Sequence, residues 1–149
     1  VGSEMCIRDR AYGLAALRVG YAISSPRIAD VLNRVRQPFN VNSLALAAAC
    51  AALEDEDYLR ASREANTAGM RQLEAGFRAL GLSWIPSRGN FIAVDFARDA
   101  APVNQALLHE GVIVRPVAGY GMPTFLRVSI GTEAENARLL DALQQVLAR

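Results

Sequence analysis

Residues 112–136, VIVRPVAGYGMPTFLRVSIGTEAEN, carry the pattern from which the fold is read. Val112 to Arg115 and Phe125 to Ile130 are short runs rich in β-branched residues, and such runs bounded by turn residues read as strands. Gly119, Gly121 and Pro123 make the segment Val117 to Thr124 a loop between them. Thr132 and Glu135 have the spacing of a capping box, in which each side chain satisfies a free N–H at the start of a helix. Leu139, Leu140, Leu143, Val146 and Leu147 then recur at helical steps. Strand, loop, strand and amphipathic helix predict a packed α/β unit.

Working upstream, Pro102 to Glu110 reads as a short helix and Phe91 to Phe96 as another strand, giving an expected three-strand sheet. The acidic cluster Glu54 to Asp57 suits the positive end of a long helix carrying Leu59, Met70, Leu73, Phe77 and Leu80, with Gly81 as its stop. Asn42 or Ser43 can cap a helix through Leu53. Ser25-Pro26 starts a further helix with Ile28, Val31, Leu32 and Val35, and Gln37-Pro38 ends it. Leu17 to Ile23 alternates and reads as a strand. The expected division is into residues 11–54, which lack partners to close a core and should leave an apolar patch, and residues 55–149, a compact unit. Residues 1–10, VGSEMCIRDR, continue no period into Ala11 and have no signal-peptide apolar core, so they are expected to be a non-native leader.

The chain has 149 residues, 52% hydrophobic and 21% charged, with a net charge of +1, enough for a globular core. That balance and the lack of a basic run argue against nucleic acid or a membrane surface as partner, and no apolar run reaches the length of about 20 residues that crosses a bilayer. Cys6 and Cys50 make no disulfide framework, which fits a reducing, cytoplasmic setting. His109 is the sole histidine, with no nucleophile elbow around it, and no Cys/His cluster has metal-ligand spacing. The sixteen basic residues are all arginine. A guanidinium stays protonated and cannot act as the amine nucleophile that lysine supplies, and a P-loop is excluded for the same reason.

Arginines therefore carry the chemistry that remains. Arg18, in GLAALRVGY (13–21), sits among small residues that permit close approach of an anion. Arg115 ends one expected strand and Arg127 interrupts the next, so the two flank one loop and can converge on one anion. Taken singly, each is better explained by a structural ion pair or a solvent-facing side chain; for Arg115 and Arg127 taken as a pair, the residues alone leave both readings open.

AYGLAALRVGY (11–21) resembles the segment of fold-type-I aminotransferases that normally reads Ser-Lys-x-x-Gly-Leu-Ala-Gly-x-Arg-x-Gly-Tyr. NRVRQPFNVNSLALAAACAAL (33–53) and residues 112–136 resemble the histidinol-phosphate aminotransferase family in particular. The resemblance runs from Ala11 to Arg149 and implies an α/β chain of the PLP-dependent transferase fold type I. It would comprise the C-terminal part of the large domain, residues 11–54, and the small α/β domain, residues 55–149. It implies pyridoxal 5'-phosphate as cofactor, with Arg18 on the cofactor phosphate. Arg115 and Arg127 would lie on the substrate phosphate, Asn90 of SRGNFI near the substrate, and Asn40 near a dimer-related site. The implied reaction is histidinol phosphate plus 2-oxoglutarate to imidazole-acetol phosphate plus glutamate, in a cytoplasmic homodimer of histidine biosynthesis. The Schiff-base lysine belongs at position 10, where this sequence has Arg10, so no catalytic residue is expected in the chain itself. Ala16 also departs from the usual glycine. Another aminotransferase, a threonine-phosphate decarboxylase and a non-catalytic anion-binding module are the competing readings.

Overall fold

The computed structural model describes residues 12–21 and 23–148. Arg10, the position expected of the lysine, lies outside them. The chain divides into two compact units between Arg63 and Glu64, inside a long helix.

The first unit begins with a 3-10 turn, Ala15–Leu17, followed by Arg18 in the left-handed region at φ 50°. The strand expected over Leu17 to Ile23 is not formed at the described residues. Alternation marks a strand only where a neighbour completes its hydrogen bonds, and none pairs with it here. Helix α1 spans Pro26–Val35, with Pro26 at its start, and α2 spans Ser43–Glu54. Asn42 caps α2 by accepting from the Ala45 N–H at 2.8 Å. Helix α3, Glu56–Ala79, opens with Glu56 and Asp57 in its first turn, and Asp55 accepts from the Tyr58 N–H at 2.9 Å. Val19 and Ala45 are buried, whereas Ile23, Val35, Phe39 and Leu44 are largely exposed. Among the described residues of this unit none forms a strand, and most of its large apolar side chains are exposed.

The second unit is built on the C-terminal part of α3. Gly81, at φ 69°, stops that helix, and the Leu82 N–H closes the cap on the Phe77 carbonyl at 2.9 Å. The sheet has four strands, not the expected three: β1 (Ser83–Ile85), β2 (Phe91–Asp95), β3 (Arg115–Pro116) and β4 (Phe125–Ser129), in the order β1-β2-β4-β3. All its pairings are antiparallel. The additional strand β1 is only three residues long, too short to show a period, and Trp84 holds it by packing on Phe77 with ring centroids 6.2 Å apart. Helix α4 spans Ala101–His109 and α5 spans Glu133–Leu147.

Strand alternation gives the sheet two different faces. Ile92, Val94, Leu126 and Val128 are buried against Leu73 and Phe77 of α3, Val103 and Leu107 of α4, and Leu139 and Leu143 of α5. Phe91, Ala93, Asp95, Phe125 and Arg127 alternate onto the opposite face and are half-buried. The strand expected over Val112 to Arg115 pairs only from Arg115 onward. Gly111 and Val112 donate to the carbonyls of Leu108 and Leu107, closing α4, so this backbone is committed before it reaches β4. A cavity of about 400 Å³ remains beside Gly111–Val114 and the end of β4.

Candidate anion site

Arg115 and Arg127 are direct partners in the β3–β4 register. Residues opposite each other in an antiparallel pair project from the same face, with Cβ atoms about 5 Å apart. The two arginines that the sequence places in successive strands are thus brought opposite each other on one face of the sheet. The same row continues through Ala93, opposite Arg127, to Ile85. Ala93, directly across from Arg127, carries only a methyl group.

Among the described residues, no carboxylate lies within ion-pair distance of either guanidinium. Like charges directly opposite one another in a sheet are unfavourable. Arg127 is half-buried, its Cζ lies 5.0 Å from the centroid of the Phe91 ring, and its Nε is buried with no hydrogen-bond acceptor. Arg115 is exposed. Two cations without an ion-pair partner among the described residues, one of them half-buried, are a donor set that suits an anion with several oxygens.

Asn90 lies on the same sheet, one residue before Phe91, and its carbonyl accepts from the Ile130 N–H at 2.9 Å. Its side chain is exposed and is not joined to the arginine pair by any hydrogen bond. Phe91 was not among the residues singled out from sequence. Its contact depends on register, since Phe91 faces Ser129 and is therefore diagonal to Arg127.

Arg18 belongs to the first unit. Its N–H donates to the Ala15 carbonyl at 3.2 Å and its Nη1 to the same oxygen at 2.9 Å, so the left-handed residue is tied back onto the 3-10 turn. A non-glycine residue in this conformation costs on the order of 1–3 kcal/mol. The remaining guanidinium donors are exposed, a donor set that fits a phosphate. Asn40 accepts from Arg36 Nη1 at 3.4 Å within its own loop. His109 is exposed at the end of α4. Among the described residues, no group of three or more His, Cys, Asp or Glu could hold a metal, and no helix is long and apolar enough to cross a membrane.

The model of the family described as aminotransferase class I and II matches residues 10–143. Histidinol-phosphate aminotransferase 2 of Pseudomonas aeruginosa is 78% identical over 140 residues, covering 94% of this chain and 38% of the relative. The protein of the same name from Pseudomonas fluorescens Pf-5 is 75% identical over 141 residues, covering 95% of this chain and 38% of the relative. The solved structure of histidinol-phosphate aminotransferase from Sinorhizobium meliloti, in complex with pyridoxal-5'-phosphate, is similar at a TM-score of 0.83 and 32% identity. It covers 95% of this chain and 40% of that one. The chain thus spans 38% of the length of the curated relatives it matches here.

Proposed function

The chain belongs to the class I and II aminotransferase family, and we propose that it is the substrate-gripping, C-terminal part of a histidinol-phosphate aminotransferase. Its fold is that of the fold-type-I PLP-dependent enzymes, as the sequence led us to expect. The parent reaction is the transfer of the amino group of histidinol phosphate to 2-oxoglutarate, in a cytoplasmic homodimer. Residues 11–54 are the end of its large domain and residues 55–149 its small domain.

The observation that supports this reading is the Arg115–Arg127 register. Two unneutralised guanidinium groups on one face suit a phosphate dianion better than a single carboxylate, because both charges and several N–H donors are used at once. Arg115 and Arg127 grip the substrate phosphate, Asn90 stands near the substrate from the start of β2, and Arg18 holds the phosphate of pyridoxal 5'-phosphate. The cofactor, when bound, supplies the electron sink for chemistry at the amino carbon. The covalent anchor is not supplied by residues 11–149, because no side chain in them is a primary amine.

Titration of the full chain with histidinol phosphate and with histidinol tests the phosphate grip. The phosphorylated ligand should bind, more weakly as salt rises, and the alcohol should not. Arg115→Gln and Arg127→Gln should each weaken binding by about tenfold or more, the worth of a charge-assisted hydrogen bond. Equal binding of the two ligands would overturn the assignment.

A further inference from the structure

Resting on that reading and deepening it, we infer that Phe91 is the positioning residue that turns Arg127 into a fixed, end-on fork for the anion. The register makes the two side chains diagonal neighbours on one face: Phe91 opposes Ser129, and Arg127 opposes Ala93. The guanidinium carbon lies 5.0 Å from the ring centroid, within the range of a cation–π contact. Ala93, directly across, offers only a methyl and no flat surface on which the guanidinium can lie instead.

The Nε of Arg127 shows what this placement does. It is buried and donates to no acceptor. The contact observed for this guanidinium is the Phe91 ring, 5.0 Å from Cζ to the centroid. With the Nε edge sealed, Arg127 can meet an anion only through its two terminal nitrogens. Arg115 is exposed and has no ring contact among the described residues, so it adapts while Arg127 does not. The site thus pairs one preset fork with one mobile charge. The preset member avoids part of the ordering cost of binding.

The test uses the full 149-residue chain and inorganic phosphate at low salt, with phosphate affinity and the arginine Nε–Hε signals read by NMR. Phe91→Leu should weaken phosphate binding by about two- to fivefold, the worth of one such contact. Phe91→Tyr, which keeps the ring, should restore it. In the wild-type chain the Arg127 Nε–Hε signal should carry a ring-current shift and stay nearly still as phosphate is added. In Phe91→Leu that signal should lose the shift and move with phosphate. Thermal unfolding of the same samples separates loss of fold from loss of positioning, and the Tyr variant carries the test if the Leu variant does not fold. Wild-type affinity in Phe91→Leu, with Arg127→Gln impaired, would overturn the role of Phe91 alone. So would equal weakening in the Leu and Tyr variants. Unchanged phosphate binding in both Arg115→Gln and Arg127→Gln would instead overturn the anion site on which the inference rests.

Discussion

Two arginines opposite each other across a strand pair, with no carboxylate within ion-pair distance among the described residues, should trade stability for binding on the proposed reading. Removing one charge should therefore make the unliganded chain more stable while impairing its grip on phosphate. Arg115→Gln should raise the unfolding free energy by about 0.2–1 kcal/mol, the scale of a cross-strand pair, measured by denaturant titration without added anion. Excess phosphate should reverse the order of the two chains, since it stabilises only the one that binds it well. A loss of stability in the phosphate-free variant would mean that Arg115 has a structural partner after all. That Arg115 and Arg127 flank one loop was legible in the sequence, but that they face each other was not. Facing requires a register, and register is set by where β3 begins to pair; closure of α4 by Gly111 and Val112 delays that to Arg115. Phe91 escaped for the same reason, because an aromatic next to a strand start reads as core until the opposite strand shows which face it takes.

At the scale of elements, the signals that carried through were those completed within a few residues. Thr132 and Glu135 form both halves of the capping box of α5: Thr132 N–H and hydroxyl each donate to Glu135 Oε2 at 2.8 Å, and Glu135 N–H donates to the hydroxyl at 3.4 Å. The backbone hydrogen bond from Thr132, then its hydroxyl, hold the Glu135 carboxyl below its ordinary value of 4.5. A carboxyl lowered in the folded state stabilises it above the ordinary value, and that contribution is lost as pH falls through the lowered one. The stability difference between the native chain and Glu135→Gln should accordingly be full at neutral pH and shrink below pH 4.5. Thr132→Ala should cost about 1 kcal/mol at neutral pH by thermal or denaturant unfolding. A Gln variant whose deficit is constant from neutral to acid pH would show that the carboxylate charge is irrelevant to the cap. The Asn42 cap and the Gly81 stop were legible for the same local reason. The expected strand over Leu17 to Ile23 is not formed at the described residues, because a strand depends on a neighbour. The strand Ser83–Ile85 was missed because three residues carry too little pattern.

At the scale of the molecule, the two units differ in how far they satisfy themselves. The second encloses a core from Leu73 to Val146 around one face of its sheet and turns the arginine pair to the other. In the first, large apolar side chains such as Ile23, Val35, Phe39 and Leu44 stay in solvent, and Arg18 is held in a left-handed turn with its remaining donors free. On the proposed function, anion grips without a primary amine are half of a transamination site, and the other half is best supplied by a relative. The decisive measurement is made on a chimera in which the upstream part of the Pseudomonas aeruginosa histidinol-phosphate aminotransferase 2, ending in its lysine, is joined to Ala11 of this chain. Loaded with pyridoxal 5'-phosphate, it should transfer the amino group of histidinol phosphate to 2-oxoglutarate, and Arg115→Gln should raise KM for histidinol phosphate far more than for an amino acid without a phosphate. A folded chimera that binds the cofactor yet leaves histidinol phosphate unreacted, or reacts with it equally well after Arg115 is neutralised, would contradict the account.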